Sequence, residues 1–565
     1  MKYVIIGGVA GGASTAARLR RMDEHAAIIM FEKGAYVSYA NCGLPYYIGD
    51  VIKDRDKLFV QTATGFKNRF NIDVRISTEI IKIDNTNKIV TAKNLLTGEQ
   101  YNESYDKLVL SPGAEPLRPP LPGIDIPGIF TLRNVPDTDH IKSYAQQKPK
   151  GKAVVIGGGF IGLEMAENLH HLGMKVTIVE MAKQVMAPVD FPIAAIVQQH
   201  IRSKGVKLLL NTTVSGFEKT DTGLLVKFND GSSEAADIVI LSIGVRPDTR
   251  LAEDAGLQIG KAKGIWVNEY LQTSDPDIYA VGDAIEFENP IIGRPLNTYL
   301  AGPANKQGRI CADNIVLGNR QVYKGAINTA IVKIFDYTVG ATGMAEKHLK
   351  HFNIPHLVST TRSSSHAGYY PGANQLTIQI TFSPQDGKLL GAQVAGIDGV
   401  DKRIDIFATL IQMGGTIYDL TEIEHAYAPP YSSAKDPVNM AGFVAENLLQ
   451  GIYKAVYWDE FLQNSFNTDS LLLDVRTVEE HQNKTIPGAI NIPVDELRQR
   501  LAEIPHNKKL YVFCEIGLRG YLAQRILRQN GYEEVYNLSG GFALWNTATT
   551  ELKLSNTVHK SVMPA

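Results

Sequence analysis

Two stretches of this 565-residue chain share one grammar. "KYVIIGGVAGGASTAARLRRMDEHAAIIMFEK" (2–33) and "AVVIGGGFIGLEMAENLHHLGMKVTIVE" (153–180) each run from an apolar strand through a glycine-rich turn into a helix, then to a second apolar strand ending at an acid. Glycines in such a turn let the backbone approach a pyrophosphate at a helix N-terminus, and the acid accepts a hydrogen bond from a ribose hydroxyl. The first copy places Gly7, Gly8 and Gly12 in the turn and Glu32 at the end, but has Val9 where a plain GxGxxG carries its middle glycine. The second is in full register, with Gly157, Gly159, Gly162 and a closing Glu180. Two copies commit the chain to an α/β class with two Rossmann-like dinucleotide-binding domains. An acid at 180 repels a 2'-phosphate and so favours NADH over NADPH, a preference that Lys183 moderates.

Such a length exceeds what one hydrophobic core supports, so three or four domains are expected. Lys+Arg (57) nearly balance Asp+Glu (59). With no long run of like charge, neither nucleic acid nor an anionic membrane is expected as a partner. The apolar run in "MKYVIIGGVAGG" is too short for a signal peptide's central region, and no stretch approaches the roughly 18 to 20 apolar residues of a membrane span. Three scattered cysteines, Cys42, Cys311 and Cys514, do not make a structural disulfide framework. A cytoplasmic protein with thiols available for chemistry is the expectation, and no metal centre is expected.

Between and after the two motifs lie "LVLSPGAEP" (108–116), "IVILSIGVRPDT" (238–249) and "TSDPDIYAVGDA" (273–284). The last ends a strand with an acid beside a glycine turn, which suits Asp283 for holding a ribityl chain. The order of these five motifs resembles the pyridine nucleotide-disulfide oxidoreductases over roughly residues 1–445. That resemblance implies an FAD-binding domain of residues 1–112 and 246–322, interrupted by an NAD(H)-binding domain of 113–245 and followed by an α+β dimerisation domain of 323–447. It assigns FAD to Gly7, Gly8, Gly12, Glu32 and Asp283, and NADH to Gly157, Gly159, Gly162 and Glu180. It also implies a homodimer.

"SYANCGLPYYIG" (38–49) narrows the branch. A dithiol member spaced CxxxxC would carry a second cysteine at the place of Tyr47, so Cys42 belongs to a monothiol type. Two types remain. Coenzyme A-disulfide reductases cycle through a mixed disulfide with CoA, whereas NADH oxidases and peroxidases cycle through a sulfenic acid and generally carry a His where this chain has Ala10. Ser14, Arg18 and Arg21, at i, i+4 and i+7, share one helix face, where two guanidinium groups can clamp a phosphorylated nucleotide or simply be solvated. Together with Ser38, Asn41, Asn305 and Lys435 they resemble the CoA-contacting positions of the coenzyme A-disulfide reductases. In "SSSHAGYYPGA" and "EHAYAPPYSSAKDP" the resemblance picks out Tyr369 and Tyr427, with Tyr370 as a neighbour. A phenol there, reaching into the partner's active site, can protonate a departing CoA thiolate. Cys311 reads as a small core residue.

The pattern restarts near residue 456. "SLLLDVRTVEEHQNKTIPGAINIPVDEL" and "LYVFCEIGLRGYLAQRILRQNGY" give strands, a loop opening on Cys514, and a helix at whose start several amide N–H groups can surround the sulfur. Residues 459–555, after a linker at 448–458, resemble a single α/β rhodanese domain whose active loop is matched by Cys514, Gly517 and Arg519. Lys484 and Thr485 replace its usual Gly-His. Glu515 disfavours a doubly anionic donor such as thiosulfate. The resemblances together imply an FAD- and NADH-dependent reductase of CoA disulfide, CoA persulfide and polysulfide, with sulfane sulfur carried as a Cys514 persulfide.

Overall fold

A computed structural model describes residues 1–221, 223–464 and 469–557. It divides into two compact units, Met1–Val179 with Thr213–Asn328, and Glu180–Thr212 with the chain from Thr329 onward.

In the first unit, β1 (Lys2–Ile6) leads into helix α1 (Ala10–Met22) and on to β2 (Ala27–Phe31), then β3 (Asp73–Arg75) and β4 (Lys107–Leu110). A short helix α2 (Leu44–Ile48) follows the Cys42 turn. β1, β2 and β4 are nearly continuous apolar runs, as parallel strands covered on both faces require. The chain then builds a second parallel sheet from β5 (Ile129–Thr131), β6 (Lys152–Ile156), β7 (Lys175–Val179) and β8 (Ile238–Leu241), in which β7, β6, β8 and β5 lie side by side. Helix α3 (Phe160–His171) connects β6 to β7. The excursion leaves and returns through the paired strands Ala114–Pro116 and Val245–Pro247. β9 (Ile278–Ala280) then completes the first sheet, whose order is β9–β4–β1–β2–β3. These are two Rossmann-type layers, the second inserted in the first.

The glycine turns are forced by packing. A Cβ on Gly12 would lie 1.9 Å from the Gly7 carbonyl oxygen, and one on Gly162 would lie 1.9 Å from that of Gly157. Gly7 and Gly157 themselves sit at φ +95° and +106°, where only glycine is unstrained. Val9 stands in the middle glycine's place with a φ of −102°, outside the positive-φ region that calls for glycine.

In the second unit, α4 (Phe191–Ser203) precedes an antiparallel sheet of β10 (Ala330–Ile334), β11 (Tyr337–Gly343), β12 (Leu357–Ser364), β13 (Gln375–Phe382) and β14 (Leu389–Gly396). Its order is β10–β11–β14–β13–β12, and α5 (Val400–Met413) and α6 (Pro437–Leu449) pack on one face. This α+β layer is followed by a parallel sheet of β15 (Ala455–Val456), β16 (Ser470–Asp474), β17 (Ile490–Asn491), β18 (Lys509–Phe513) and β19 (Val535–Leu538), with helices α7 (Leu518–Gln529) and α8 (Gly541–Thr557). The order there is β15–β19–β18–β16–β17. The stretch 448–458, read from sequence as a linker, supplies β15 to this sheet and buries Tyr453 against it, so it is structured rather than a tether. α8 packs along α4, where Arg202 pairs with the buried Glu551 and the Phe191 ring stacks on Trp458.

Candidate active site

A cavity of about 480 Å³ in the first unit opens over the N-terminus of α1. Gly7, Gly8, Glu32, Cys42, Arg133 and Asp283 are on its wall, so the structure brings all but one of the residues assigned to FAD, together with the single cysteine, to one place. Gly12, the exception, lies behind the turn, where its missing side chain lets α1 approach β1. The Glu32 carboxylate is held by the N–H groups of Gly8 and Gly34, at 2.9 and 2.8 Å. Asp283 lies in a one-turn helix after β9, and burial raises its carboxyl above the usual range despite the opposing charge of Arg133. A glycine cradle at a helix start, an acid at the end of the next strand and a buried acid at the far end suit a dinucleotide. In the second motif a Cβ on Gly159 would meet open space, which leaves room for a pyrophosphate to approach the start of α3. Glu180 follows β7 directly, and its carboxylate accepts from the Ala182 N–H at 2.8 Å.

Cys42 occupies a one-turn 3-10 helix, Asn41–Gly43, and is exposed. The turn is pinned by Ser38, at φ +46°, whose N–H donates to the Gly8 carbonyl at 2.8 Å. The regular helix begins only at Leu44 and has five residues, so it offers Cys42 no long helix dipole. Burial, then the charges of Glu164 and Asp283, push the Cys42 thiol up rather than down.

Glu164 was not legible as a site residue. It lies on α3 behind the second glycine motif, accepts from the Tyr46 hydroxyl at 3.3 Å, and is raised by burial to about 7. Its only signal in the sequence is an acid in "IGLEMAEN", an otherwise apolar helix start. Arg133, also on the cavity wall, carried no signal, and Ser111 lies there within the motif 108–116 without having been singled out.

On α1, Ser14, Arg18 and Arg21 share the outward face as expected, but they are not equally free. Arg18 is tied through Nε to Asp313 at 2.6 Å, whereas Arg21 is exposed. The Ser14 hydroxyl donates to Asn305 on the helix Ala301–Leu317, so two more of the assigned positions meet. Close crossing of these helices depends on Gly308, where a Cβ would lie 2.6 Å from the Gly11 carbonyl. Asn41 and Lys435 are exposed. In the second unit the hydroxyls of Tyr369 and Tyr427 lie 2.9 Å apart, and both rings are largely exposed. Tyr427 also lines a cavity of about 460 Å³ with Tyr431, Lys402 and Arg403. Tyr370 packs edge-on against His366 instead. Cys311 is fully buried in the core of the first unit.

Cys514 directly follows β18, is 1% exposed, and receives one backbone N–H, from Gly517 at 3.1 Å, not the several expected, while the Arg519 guanidinium also bears on its sulfur. The conformation needs glycine, since Gly517 has φ +113°. Arg519 makes two hydrogen bonds to Glu480, at 2.6 and 2.7 Å, and this pairing holds the Glu480 carboxyl down at about 2. Arg476 bridges Asp474 and Glu515. Lys484 and Thr485 serve this network, the first through its carbonyl to Arg476 and the second through its hydroxyl to Asp474.

The family model of the pyridine nucleotide-disulphide oxidoreductases matches residues 1–308, that of their dimerisation domain residues 329–437, and that of the rhodanese-like domain residues 458–548. The chain belongs to the pyridine nucleotide-disulphide oxidoreductase family. It is therefore an oxidoreductase of a family that uses FAD and NAD(H), carrying a rhodanese-like domain. A coenzyme A disulfide reductase of Staphylococcus haemolyticus is 36% identical over 447 residues, 79% of this chain and 100% of the relative. The structure is similar to that of reduced Bacillus anthracis CoADR-RHD, with a TM-score of 0.94, 50% identity, and coverage of 97% of this chain and 98% of that one. It is also similar to an NAD-dependent persulfide reductase of A. fulgidus, with a TM-score of 0.90, 40% identity, and coverage of 96% and 100%. Both structural likenesses run through the rhodanese-like domain, whereas the Staphylococcus relative stops short of it. Among the described residues of this family member, no helix is long and apolar enough to cross a membrane.

Proposed function

We propose that the protein is an NADH-dependent reductase of CoA disulfide and CoA persulfide, with polysulfide as a further substrate, and that its rhodanese domain moves sulfane sulfur through Cys514. The observation that carries this reading is the isolation of Cys42. It lies on the wall of the dinucleotide cavity, and the other two cysteines are buried in the cores of other elements. A disulfide relay at this place needs a second sulfur from outside the chain. Similarity to enzymes named for CoA disulfide and persulfide supports CoA as its source.

FAD, when bound, passes the two electrons of NADH to sulfur. Cys42 receives them as one half of a mixed disulfide with CoA, and its thiolate then attacks the next disulfide or persulfide. Ser14, Arg18, Arg21, Ser38, Asn41, Asn305 and Lys435 bind and orient CoA. In a homodimer, the Tyr369–Tyr427 pair of one protomer donates a proton to the sulfur leaving Cys42 of its partner. For the persulfide the balance is CoA–S–SH + NADH + H⁺ → CoA–SH + H₂S + NAD⁺. Arg519 and the Gly517 N–H hold Cys514 for transfer. The active form is cytoplasmic.

The test is stoichiometry. One sulfide released per NADH consumed with CoA persulfide, lost in Cys42→Ser, is the expected result. NADH consumption that follows oxygen or peroxide at comparable rates, with Cys42 cycling through a sulfenic acid, would replace this reading with an oxidase.

A further inference from the structure

Gly517 supplies the backbone N–H that reaches the Cys514 sulfur, at 3.1 Å. At φ +113°, with open space where a side chain would stand, it owes its orientation to hydrogen bonds rather than to packing of its own. The start of the loop is fixed by α8, whose Phe542 and Ala543 N–H groups donate to the Cys514 and Glu515 carbonyls at 2.8 and 3.1 Å. Its end is fixed at the Gly517 carbonyl, which accepts twice. The Tyr521 N–H, at 2.9 Å, belongs to α7 and ties Gly517 only to the helix that follows it. The Asn537 Nδ2, at 3.0 Å, ties it to the sheet. Asn537 stands on β19 opposite Val512 of β18, two residues before Cys514, so its side chain spans the two ends of the loop. The separation of sulfur and N–H is set across that span.

The Asn537 amide has little freedom. It is 1% exposed, and its Nδ2 also donates to the Tyr453 hydroxyl at 3.4 Å. Its Oδ1 has no partner among the described residues and lies against Gly520 of α7, where a Cβ would come within 2.1 Å. A buried acceptor left unpaired is destabilising, and the bonds made by Nδ2 offset it. Tyr453 comes from the stretch 448–458, ahead of the span 458–548 that the rhodanese-like family model matches. This stretch is stitched to α7: the Gly451 and Ile452 carbonyls accept from Arg528 and Arg525 at 2.9 and 2.8 Å, and Lys454 exchanges two hydrogen bonds with Gln524. The Tyr453 ring meets Tyr521 edge-on at 5.8 Å. Burial pushes the Tyr453 phenol up and the Cys514 charge adds to this, so the hydroxyl stays protonated.

We propose that Asn537, braced by Tyr453, is the positioning residue of the Cys514 site, holding Gly517 where its N–H donates to the Cys514 thiolate, and that the connector 448–458 is thereby part of the sulfur-transfer site. This rests on Cys514 being the sulfur carrier of the reading above. The charged and titratable groups around the loop, Arg519 with Glu480 and Arg476 with Asp474, His481 and Glu515, are paired through bonds that Asn537 does not share.

The test is the pH dependence of Cys514 alkylation by iodoacetamide in the full-length FAD-loaded protein, each cysteine read by peptide mass. Loss of one hydrogen bond to a thiolate should move the midpoint in Asn537→Ala upward by about 0.5 to 1 pH unit, with the limiting rate at high pH within about twofold of the wild type. Gly520→Ala, whose added Cβ displaces the Asn537 amide without removing it, should shift the midpoint the same way. Tyr453→Phe, which removes a single oxygen, should give a smaller shift of the same sign. The Cys42 curve should stay in place in all three. Should Asn537→Ala misfold, the other two variants decide. Midpoints that do not move overturn the assignment, as does a limiting rate that rises severalfold at an unchanged midpoint, the mark of a loosened domain. Shifts in Asn537→Ala and Gly520→Ala with none in Tyr453→Phe overturn the connector's part in it. A wild type that forms no thiocyanate from cyanide with either thiosulfate or glutathione persulfide defeats the transfer reading instead, and the alkylation curves still decide what Asn537 does.

Discussion

Cys42 lies exposed on a cavity wall where the carboxylates of Glu164 and Asp283 act against its ionisation, whereas Cys514 lies buried at a strand end among two arginine–carboxylate networks and the Gly517 N–H. The first surroundings oppose a thiolate until a cofactor arrives. The second are complete within the chain and its own fold. That difference fits a division of labour in which Cys42 works only with bound FAD and CoA, and Cys514 handles sulfur without electrons. The two thiols therefore respond to different perturbations.

The largest expected effect comes from separating them. Cys42→Ser should lower NADH-linked reduction of every sulfur substrate by roughly a thousandfold or more, the scale on which loss of a covalent nucleophile acts. Cyanide-dependent sulfur transfer should be untouched. Cys514→Ser should do the reverse, and steady-state assays of both activities on both variants check it. If one substitution silences both reactions, the comparison fails.

Next is the nicotinamide. One like-charge contact between Glu180 and a 2'-phosphate is worth about 1.4 kcal/mol, so kcat/KM should favour NADH over NADPH by roughly tenfold. Glu180→Gln should narrow the gap, and a wild-type enzyme indifferent to the phosphate would show that Lys183 cancels the acid.

Glu164 sharpens the contrast in acidity. Removing its charge in Glu164→Gln should move the pH midpoint of Cys42 alkylation downward, and the native curve should carry an inflection near 7 as Glu164 itself ionises. The Cys514 curve should not respond. A Cys42 midpoint unmoved by the substitution would mean that burial alone raises the thiol.

The smallest effect concerns stability. Glu480 has its carboxyl lowered from 4.5 to about 2 by Arg519. Its contribution is therefore fully present above about 4.5 and lost as pH falls through about 2. Both side chains are about a third exposed, so solvent screening limits it to below about 1 kcal/mol. Urea unfolding of the wild type and Glu480→Gln at pH 7 and pH 3 measures it, and a larger loss at pH 3 than at pH 7 contradicts the sign.

What could be read before the fold was known follows from locality. The glycine motifs were legible because Gly7, Gly12, Gly157 and Gly162 answer constraints set within their own strand–turn–helix units. Val9 looked like a defect, yet its negative φ does not call for glycine. The Tyr369–Tyr427 pair, 58 residues apart in sequence, was reached by resemblance, and the fold brings the two hydroxyls together. Long-range pairings stayed hidden. Nothing near Arg18 announces Asp313, which takes half of the supposed clamp. The charge beside Cys42 stayed hidden for the same reason: Glu164 comes from the helix that follows the second glycine motif. The short strand Ala455–Val456 escaped notice because two residues show no periodicity.

The account turns on whether the missing partner of Cys42 is CoA. Mass analysis of the purified, unreduced chain answers this at the residue concerned. A CoA-sized adduct on the Cys42 peptide, absent from Cys42→Ser and released by NADH, is the predicted result. A Cys42 that instead carries only oxygen, or remains a bare thiol after exposure to CoA disulfide, would contradict it.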